Sequence, residues 1–273
     1  MKKQLVLIAL LSATIFSYAG NSSYTIGARA SALGGASVAL GDVWSANNNQ
    51  AGLAFVEGVS AGTFFENRFL LKELSLKSLA VAVPVGKGSF GVSVNSFGFN
   101  LYNENKFGLG YGMALTKNFA VGVQIDYLQN NITAETIQTT DGALTAELGV
   151  IAKFENGLSG GFHIFNPIGA RFMDSNNDVP TIFRIGLAHQ FSKEVLASVE
   201  VEKDIDFEEA VKIGLEYLIT EKIYIRGGIS TNPFLSSLGV GYQSDRLKID
   251  FASSVHTVLG YTPHISLSYQ FNK

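Results

Sequence analysis

Hydrophobic and polar residues alternate along most of the chain after residue 57, in segments of roughly ten residues bounded by Asn, Asp, Gly, Ser or Lys. Because side chains on a β-strand point to opposite faces in turn, each segment has one apolar face and one small or polar face. The segment 119–127 shows the pattern most clearly. Its apolar face holds Phe119, Val121, Val123, Ile125 and Tyr127, and the other face holds Ala120, Gly122, Gln124 and Asp126.

We count fourteen such segments, with an uncertainty of two, so the chain is predicted to be all-β. They span residues 58–66, 73–85, 88–100, 105–116, 118–130, 141–154, 157–166, 180–191, 194–203, 208–218, 221–230, 235–242, 245–256 and 261–272. Tight turns are predicted at Gly86-Lys87, Lys117-Asn118, Asn156-Gly157, Ser192-Lys193, Thr220-Glu221 and Ser244-Asp245. The connections between them, notably 131–140 and 167–179, are longer. Short and long connections in alternation are typical of an antiparallel up-and-down barrel.

The composition of the polar faces favours a membrane barrel over a soluble β-sandwich or lipocalin-like barrel. A soluble barrel would turn its polar faces to water, but here those faces carry many Gly, Ala and Ser residues and few charges. Aromatic residues cluster near segment ends, as in interfacial girdles. The last segment also alternates and ends in an aromatic residue, Phe271. We therefore predict a transmembrane barrel over 58–273, with apolar side chains towards lipid and polar side chains towards the lumen.

The first nineteen residues have the pattern of a secretory signal peptide. Lys2 and Lys3 precede an apolar run from Leu5 to Phe16, and small residues follow before a predicted cut after Ala19, or alternatively after Gly20. The apolar run is shorter than the roughly 20 residues of a membrane-spanning helix. We therefore predict export and insertion into a bacterial outer membrane.

Residues 20–57 are rich in Ala, Gly and Ser and show no sustained alternation. A disordered periplasmic tail is the alternative for this segment. Against it, the segment holds apolar side chains that need burial, namely Val38, Leu40, Val43, Trp44, Leu53 and Phe55. We predict a small plug folded inside the lumen.

Three short motifs in this segment resemble the start of FadL-type and PorV/PorQ-like outer-membrane proteins. They are Arg29-Ala30-Ser31-Ala32-Leu33-Gly34-Gly35-Ala36, Gly41-Asp42 and Asn49-Gln50-Ala51-Gly52-Leu53-Ala54. Members of these families carry R-x-x-A-x-G-G-A, an acidic residue and N-P-A-G-L-A before the first strand, so Gln50 stands where proline is usual. The matching positions are Arg29, Gly34, Gly35, Asp42, Asn49, Gln50 and Gly52. The resemblance implies a fourteen-stranded barrel with the N-terminal segment inside.

Charged residues fall on the predicted inward faces, since a charge on the lipid face would cost about 2–4 kcal/mol near the membrane midplane. They are Asp126, Glu147, Arg184, Glu200, Glu202, Lys212, Glu216, Arg226, Lys248 and Asp250. Both signs occur, so we predict cross-strand ion pairs that brace the lumen and hold the plug. A polar conduit or a charged ligand site is the alternative.

The sequence offers no motif for an enzyme or a cofactor. The chain has no cysteine, which excludes disulfides and thiol catalysis, and its net charge of −3 gives no support for nucleic-acid binding. It has no phosphate loop, zinc spacing or dinucleotide fingerprint. The four histidines, His163, His189, His256 and His264, lie on separate segments, and no local motif places a serine beside one of them. We therefore predict a protein that is not an enzyme and has no cofactor.

Two functional hypotheses follow from the resemblance, with outer-membrane lipid as a common partner. The first is a PorV/PorQ-like accessory role in type IX secretion, a Bacteroidetes-like assignment with secreted or envelope proteins as partners. It predicts an occluded lumen, an exposed apolar patch on the outer rim or loops, and co-purification with other envelope proteins. The alternative is a FadL-like transporter of small hydrophobic compounds, which predicts an apolar pocket behind the plug and a lateral gap in one strand. A purely structural envelope protein is the third possibility.

Overall fold

The computed structural model describes residues 24–134 and 137–271. Fourteen antiparallel strands form a closed barrel in which each strand pairs with its neighbours in the sequence and β1 pairs with β14. The strands are β1 Ser60–Asn67, β2 Ser75–Val85, β3 Gly88–Phe99, β4 Tyr102–Ala114, β5 Phe119–Ala134, β6 Ile137–Lys153, β7 Leu158–Phe165, β8 Ile182–Gln190, β9 Val195–Asp204, β10 Ala210–Thr220, β11 Ile223–Ser230, β12 Leu235–Gln243, β13 Leu247–His256 and β14 Gly260–Gln270. The predicted all-β barrel of fourteen strands is confirmed.

The apolar faces point outwards and the polar faces point into the lumen. On β5, Ile125 is 68% exposed on the outer surface, whereas its neighbour Asp126 is fully buried. The outer surface therefore presents a band of large apolar side chains, which a barrel in lipid requires.

The connection predicted at 131–140 is wrong, because β5 and β6 continue through it as a hairpin. Asn131 pairs with Thr140 and Ala134 with Ile137, and the Thr140 hydroxyl donates to Asn131 Oδ1 at 2.9 Å. The hydrophobic alternation fades here because both faces carry polar side chains. The β-branched residues nevertheless sustain the backbone ladder.

The connection 167–179 is long, as predicted, and it folds back over one side of the barrel mouth. Phe172 is 3% exposed and packs in an apolar cluster with Leu128, Phe165 and Ile182. The Asp141 carboxylate accepts hydrogen bonds at 2.9 and 2.8 Å from the backbone N–H groups of residues 174 and 175. The connection is an ordered cap at this mouth, which we call the loop end; the opposite mouth, with the tight turns, is the turn end.

The N-terminal segment lies inside the barrel. It contains two short helices, α1 Ala28–Ala32 and α2 Ser45–Asn48, followed by a 3₁₀ helix at Gln50–Phe55. Helix α1 packs against β11 to β14, and the 3₁₀ helix packs against β3 to β6. The segment thus reaches opposite walls and forms a plug across the lumen.

Two further short 3₁₀ helices, Arg68–Leu70 and Lys72–Leu74, connect β1 to β2. Among the described residues, no helix is both long enough and apolar enough to span a membrane. The predicted signal peptide and its cut after Ala19 lie outside the described residues, so they stay predictions.

Candidate functional site

The plugged lumen is the candidate functional site. Of the charged residues predicted to face it, eight are buried on the inner wall: Asp126, Glu147, Arg184, Glu200, Lys212, Glu216, Arg226 and Asp250. The other two, Glu202 and Lys248, lie on the same wall and are partly buried. Nine of these ten charges, all except Lys248, fall into three clusters, and each cluster contacts the plug.

The Glu216 cluster binds the first plug motif. Arg29 makes a bidentate pair with Glu216, with its Nε and a terminal nitrogen 2.8 and 2.7 Å from the two carboxylate oxygens. Arg226 lies on the other side, 2.5 Å from Glu216 and 2.7 Å from Asp250. Arg29 also lies 3.7 Å from Asp42 of the plug. Two carboxylates of the wall and one of the plug thus surround two guanidinium groups.

The Glu200 cluster binds the turn that follows α1. One carboxylate oxygen of Glu200 accepts hydrogen bonds from the backbone N–H groups of Ser37 and Val38, both at 2.8 Å. Its other oxygen faces Arg184 at 2.8 Å and Lys212 at 3.2 Å. Lys212 also pairs with Glu202 at 2.7 Å, so the partly buried Glu202 belongs to this cluster.

Arg184 is the largest side chain that is almost fully buried, at 1% exposure. One of its terminal nitrogens donates to the carbonyl of Asn48 at 3.0 Å, and the other donates to the Ser37 hydroxyl at 3.0 Å. This guanidinium therefore bonds both to the wall and to two parts of the plug.

The Glu147 cluster binds the third plug motif. Gln50 Nε2 donates to Glu147 at 2.6 Å, and His163 Nε2 lies 2.8 Å from the same oxygen. Lys106 pairs with the other oxygen and lies 3.7 Å from Asp126. Gln50 thus gives the plug a hydrogen bond that a proline at this position could not form.

The other plug-motif positions have structural contacts. Asn49 donates to the carbonyls of Val38, Val150 and Phe162 at 2.7, 3.2 and 3.3 Å. Gly34 and Gly35 have positive φ of 66° and 87°, a conformation that favours glycine. A Cβ at Gly52 would lie 2.3 Å from the Ser45 hydroxyl.

Small residues of the wall let the plug approach the strands closely. At ten glycines on ten strands, a Cβ would lie between 2.0 and 2.8 Å from a plug atom. They are Gly62, Gly91, Gly112, Gly122, Gly149, Gly161, Gly186, Gly214, Gly228 and Gly239. Strand alternation assigned Gly122 to an inward face, but the role of these glycines against the plug depends on where the plug lies.

A vestibule opens on each side of the plug. The vestibule at the loop end has a volume of about 440 Å³, and its lining includes Glu66, Arg68, Phe69, Lys212, Leu235 and His264. The vestibule at the turn end is smaller, at about 220 Å³, and its lining includes Asp42, Trp44, Phe55, Asp245, Lys248 and Asp250. Arg29 lines the second, and Ser31 and Gly35 line the first. The short helix α1 and the turn after it therefore separate the two vestibules.

These cavities differ from the continuous apolar pocket and lateral gap that the transporter hypothesis predicted. Every strand is hydrogen-bonded to both neighbours around the barrel. The loop-end vestibule has a mixed lining of apolar and charged groups. Among the described residues, no group of three or more His, Asp or Glu side chains is placed to hold a metal ion.

Four buried charged residues of the barrel wall were not predicted from the sequence: Glu66, Glu104, Lys106 and Asp141. All four are at most 7% exposed. The signal was present, because Glu66 follows Ser60, Gly62 and Phe64 on one face of β1. Lys106 likewise shares a face of β4 with alternate glycines, and Glu104 precedes it on that face.

No protein-family model and no curated protein matches the sequence significantly. Solved structures with the same fold include the toluene transporter TodX of Pseudomonas putida, with a TM-score of 0.72, 12% identity, and coverage of 92% of this chain and 100% of TodX. The toluene transporter TbuX of Ralstonia pickettii gives 0.68, 13%, 90% and 98%. A FadL homologue of Pseudomonas aeruginosa gives 0.66, 12%, 92% and 98%. At these identities the likeness shows the fold, which is that of FadL-like barrels.

Proposed function

We propose that this protein is an outer-membrane channel for small hydrophobic compounds. The observation that carries the proposal is a closed fourteen-strand barrel with its N-terminal segment folded across the lumen. That architecture matches TodX and TbuX, which are named toluene transporters, over their whole length. The likeness favours this function over the secretion-accessory hypothesis, which the comparisons do not support.

In this proposal the loop end faces the outside of the cell, and the loop-end vestibule receives the compound. Phe69, Pro233 and Leu235 supply apolar contacts on its wall. Its volume of about 440 Å³ suits a small molecule rather than a polypeptide segment. The cap formed by 167–179 covers the opposite side of the mouth, which leaves the vestibule as the entry.

Passage to the turn end requires the plug to shift, because α1 separates the two vestibules. The helix has only five residues, and four of them are Ala or Ser, so a small displacement joins the cavities. The Glu216 and Glu200 clusters hold this part of the plug. The strength of these ion pairs therefore determines the energy barrier to displacement of the plug and so to passage of the compound.

The proposal is tested by uptake of radiolabelled toluene in a Gram-negative host that lacks its own hydrocarbon and fatty-acid channels. Cells that make this protein should take up toluene several-fold faster than cells with an empty vector, with TodX as the positive control. Uptake equal to that of the empty vector, with the folded barrel present in the outer membrane, would contradict the proposal.

A reversible lock tests whether the plug has to move. A Cβ at Gly91 would lie 3.2 Å from the Cβ of Ala46 in α2, close to the separation found in disulfides. The chain has no cysteine of its own, so Ala46→Cys with Gly91→Cys introduces one defined crosslink. The oxidised double variant should lose uptake and regain it on reduction. A Cβ at Gly91 also lies 2.6 Å from Leu53 Cδ1, so the reduced double variant, which carries the same change in packing, is the control.

The filled lumen is the one observation that favours the secretion-accessory hypothesis as a second candidate. That hypothesis predicts a stable complex with a secreted or envelope protein when the tagged barrel is purified in mild detergent. Recovery of such a complex together with failure of toluene uptake would replace the transport proposal.

A further inference from the structure

Three side chains from three adjacent strands meet in the loop-end vestibule. Ser254 on β13, His264 on β14 and Glu66 on β1 all point into the lumen and are between 5% and 8% exposed. His264 is directly opposite Glu66 across the β1–β14 seam. Ser254 is the diagonal neighbour of His264, since Ser254 pairs with Thr262 and His264 pairs with Ala252.

Two close contacts connect these three side chains in a row. Ser254 Oγ lies 3.0 Å from His264 Nε2, and His264 Nδ1 lies 3.3 Å from Glu66 Oε2. The contact between His264 Nδ1 and Glu66 has an ion-pair distance but not the geometry of a hydrogen bond. Nδ1 is therefore buried without a hydrogen bond. Catalytic hydrogen bonds are often long or poorly aligned before substrate binds.

In the tautomer of neutral His264 that carries its proton on Nδ1, this N–H group faces Glu66. Nε2 is then free to accept the Ser254 hydroxyl proton. The ring of His264 stacks on Phe64, with ring centres 6.1 Å apart and an angle of 18° between the planes. The stacking restricts rotation of the imidazole and so keeps Nε2 directed at Ser254.

Arg68 fixes the carboxylate at the end of this row. It pairs with Glu66 Oε1, which leaves Oε2 for the histidine. Its guanidinium lies over the rings of Tyr24 and Phe97, 4.4 and 5.1 Å from their centres. Arg68 is therefore a positioning residue held by two aromatic rings.

Donors for a developing oxyanion line the same cavity. The Ser237 hydroxyl lies 2.9 Å from Ser254 Oγ, and Thr262, the cross-strand partner of Ser254, belongs to the vestibule wall. Hydroxyl groups in a partly enclosed site stabilise negative charge that forms on a carbonyl oxygen. The site thus combines a serine, a base, an orienting acid and donors around a cavity open to solvent.

We infer that Ser254, His264 and Glu66 form a hydrolytic site for small carboxylic esters, with Ser254 as the nucleophile, His264 as the general base and Glu66 as its orienting acid. The inference does not depend on the transport proposal. The volume and mixed lining of the vestibule fit an ester with a short acyl chain. It departs from the sequence prediction that the protein is not an enzyme.

The reaction proceeds in two balanced steps. His264 Nε2 takes the Ser254 hydroxyl proton as Oγ bonds to the carbonyl carbon; the bond from that carbon to the alcohol oxygen then breaks, and His264 returns the proton to the departing alcohol. In the second step, water loses a proton to His264 and attacks the acyl carbon. The acyl–Oγ bond breaks, a carboxylic acid leaves, and Ser254 regains its proton.

The test uses the full barrel in detergent, with p-nitrophenyl butyrate as substrate and a fluorophosphonate probe as covalent label. We expect hydrolysis by the unmodified protein and a fluorophosphonate adduct that mass spectrometry locates on Ser254. Ser254→Ala and His264→Gln should each lower kcat/KM by about 100-fold or more. Ser253→Ala, one residue away on the outer face, is the matched control and should keep full activity.

Glu66→Gln separates a positioning role from a purely structural one. It should lower kcat with little change in KM, and Glu66→Asp should restore part of the rate. Heat-modifiable migration on gels verifies that each variant is folded. Absence of both hydrolysis and adduct in the folded unmodified protein, or equal activity in Ser254→Ala, would overturn the inference and leave a hydrogen-bond network that braces the seam.

Discussion

At the scale of single residues, the alternation of each strand predicted which side chains enter the lumen, but not what they contact. Gln124 and Asp126 were assigned inward from the pattern alone, and both are buried. Some partners of Glu147 and Glu200 could not be predicted, because they belong to the plug. The position of the plug follows from packing across the lumen, which no local pattern encodes.

Two consecutive glycines on β11 test the close approach of plug and wall. A Cβ at Gly228 would lie 2.2 Å from the Gly34 nitrogen, whereas a Cβ at Gly227 would have its nearest contact at 3.6 Å. Gly228→Ala should lower the free energy of unfolding by about 1–3 kcal/mol, as overpacking does. Gly227→Ala should be near neutral. Thermal unfolding of both variants in detergent is the measurement, and equal midpoints would show that the plug does not touch this wall.

Glu216 tests the ion pairs that hold the plug. Glu216→Gln keeps the shape of the side chain but removes the charge that faces both Arg29 and Arg226. Removing one partner of a buried pair costs about 3–5 kcal/mol, because the opposite charge stays buried. The unfolding midpoint should fall well below that of the control Glu221→Gln, which lies on an exposed turn. An unchanged midpoint would contradict the assigned role.

At the scale of elements, the strands were predictable where one face is apolar and less so where both faces are polar. The hairpin over Asn131 and Thr140 was mistaken for a loop because its sequence lacks a hydrophobic alternation. The triad of Glu66, Ser254 and His264 was invisible for a different reason. Closure of β1 on β14 joins residues almost 200 positions apart, and no spacing in the sequence reveals that contact.

The cap over the barrel mouth yields a prediction for the connection 167–179. Phe172 is 3% exposed, whereas its neighbour Met173 is 67% exposed. Phe172→Ala should release the cap, since burying a phenylalanine ring contributes about 3–5 kcal/mol. Limited proteolysis should then cut this connection much faster than in the unmodified protein or in Met173→Ala. Equal cleavage rates in the two variants would show that the cap is not held by Phe172.

Gln50 yields a prediction for the third plug motif. The preceding Asn49 has extended backbone angles, φ −169° and ψ 106°, which proline at position 50 allows. Proline is also well suited to the first position of a helix. Gln50→Pro and Gln50→Ala should therefore lower stability alike, by about 1.5–3 kcal/mol for a lost hydrogen bond to a charged group. A far larger loss in Gln50→Pro, measured by thermal unfolding, would mean that the backbone here excludes proline.

At the scale of the whole molecule, one arrangement underlies these features: lipid outside, charged wall inside and plug between two vestibules. The apolar outer band and the buried ion pairs are two consequences of it. The strand pattern predicted the apolar outer band. The apolar residues of segment 20–57 predicted that this segment fills the lumen. The separation of the vestibules by α1 emerged only from the structure.

Quenching by brominated lipids tests this arrangement most directly. Trp44, the one tryptophan of the chain, is 4% exposed in the plug beside Phe64. A second reporter, Ile125→Trp in a Trp44→Phe background, places the indole on the outer surface. In liposomes, brominated acyl chains should quench the fluorescence of the residue 125 reporter strongly and leave that of Trp44 almost unchanged. Strong lipid quenching of Trp44, or quenching of the residue 125 reporter by aqueous iodide instead of lipid, would contradict the account.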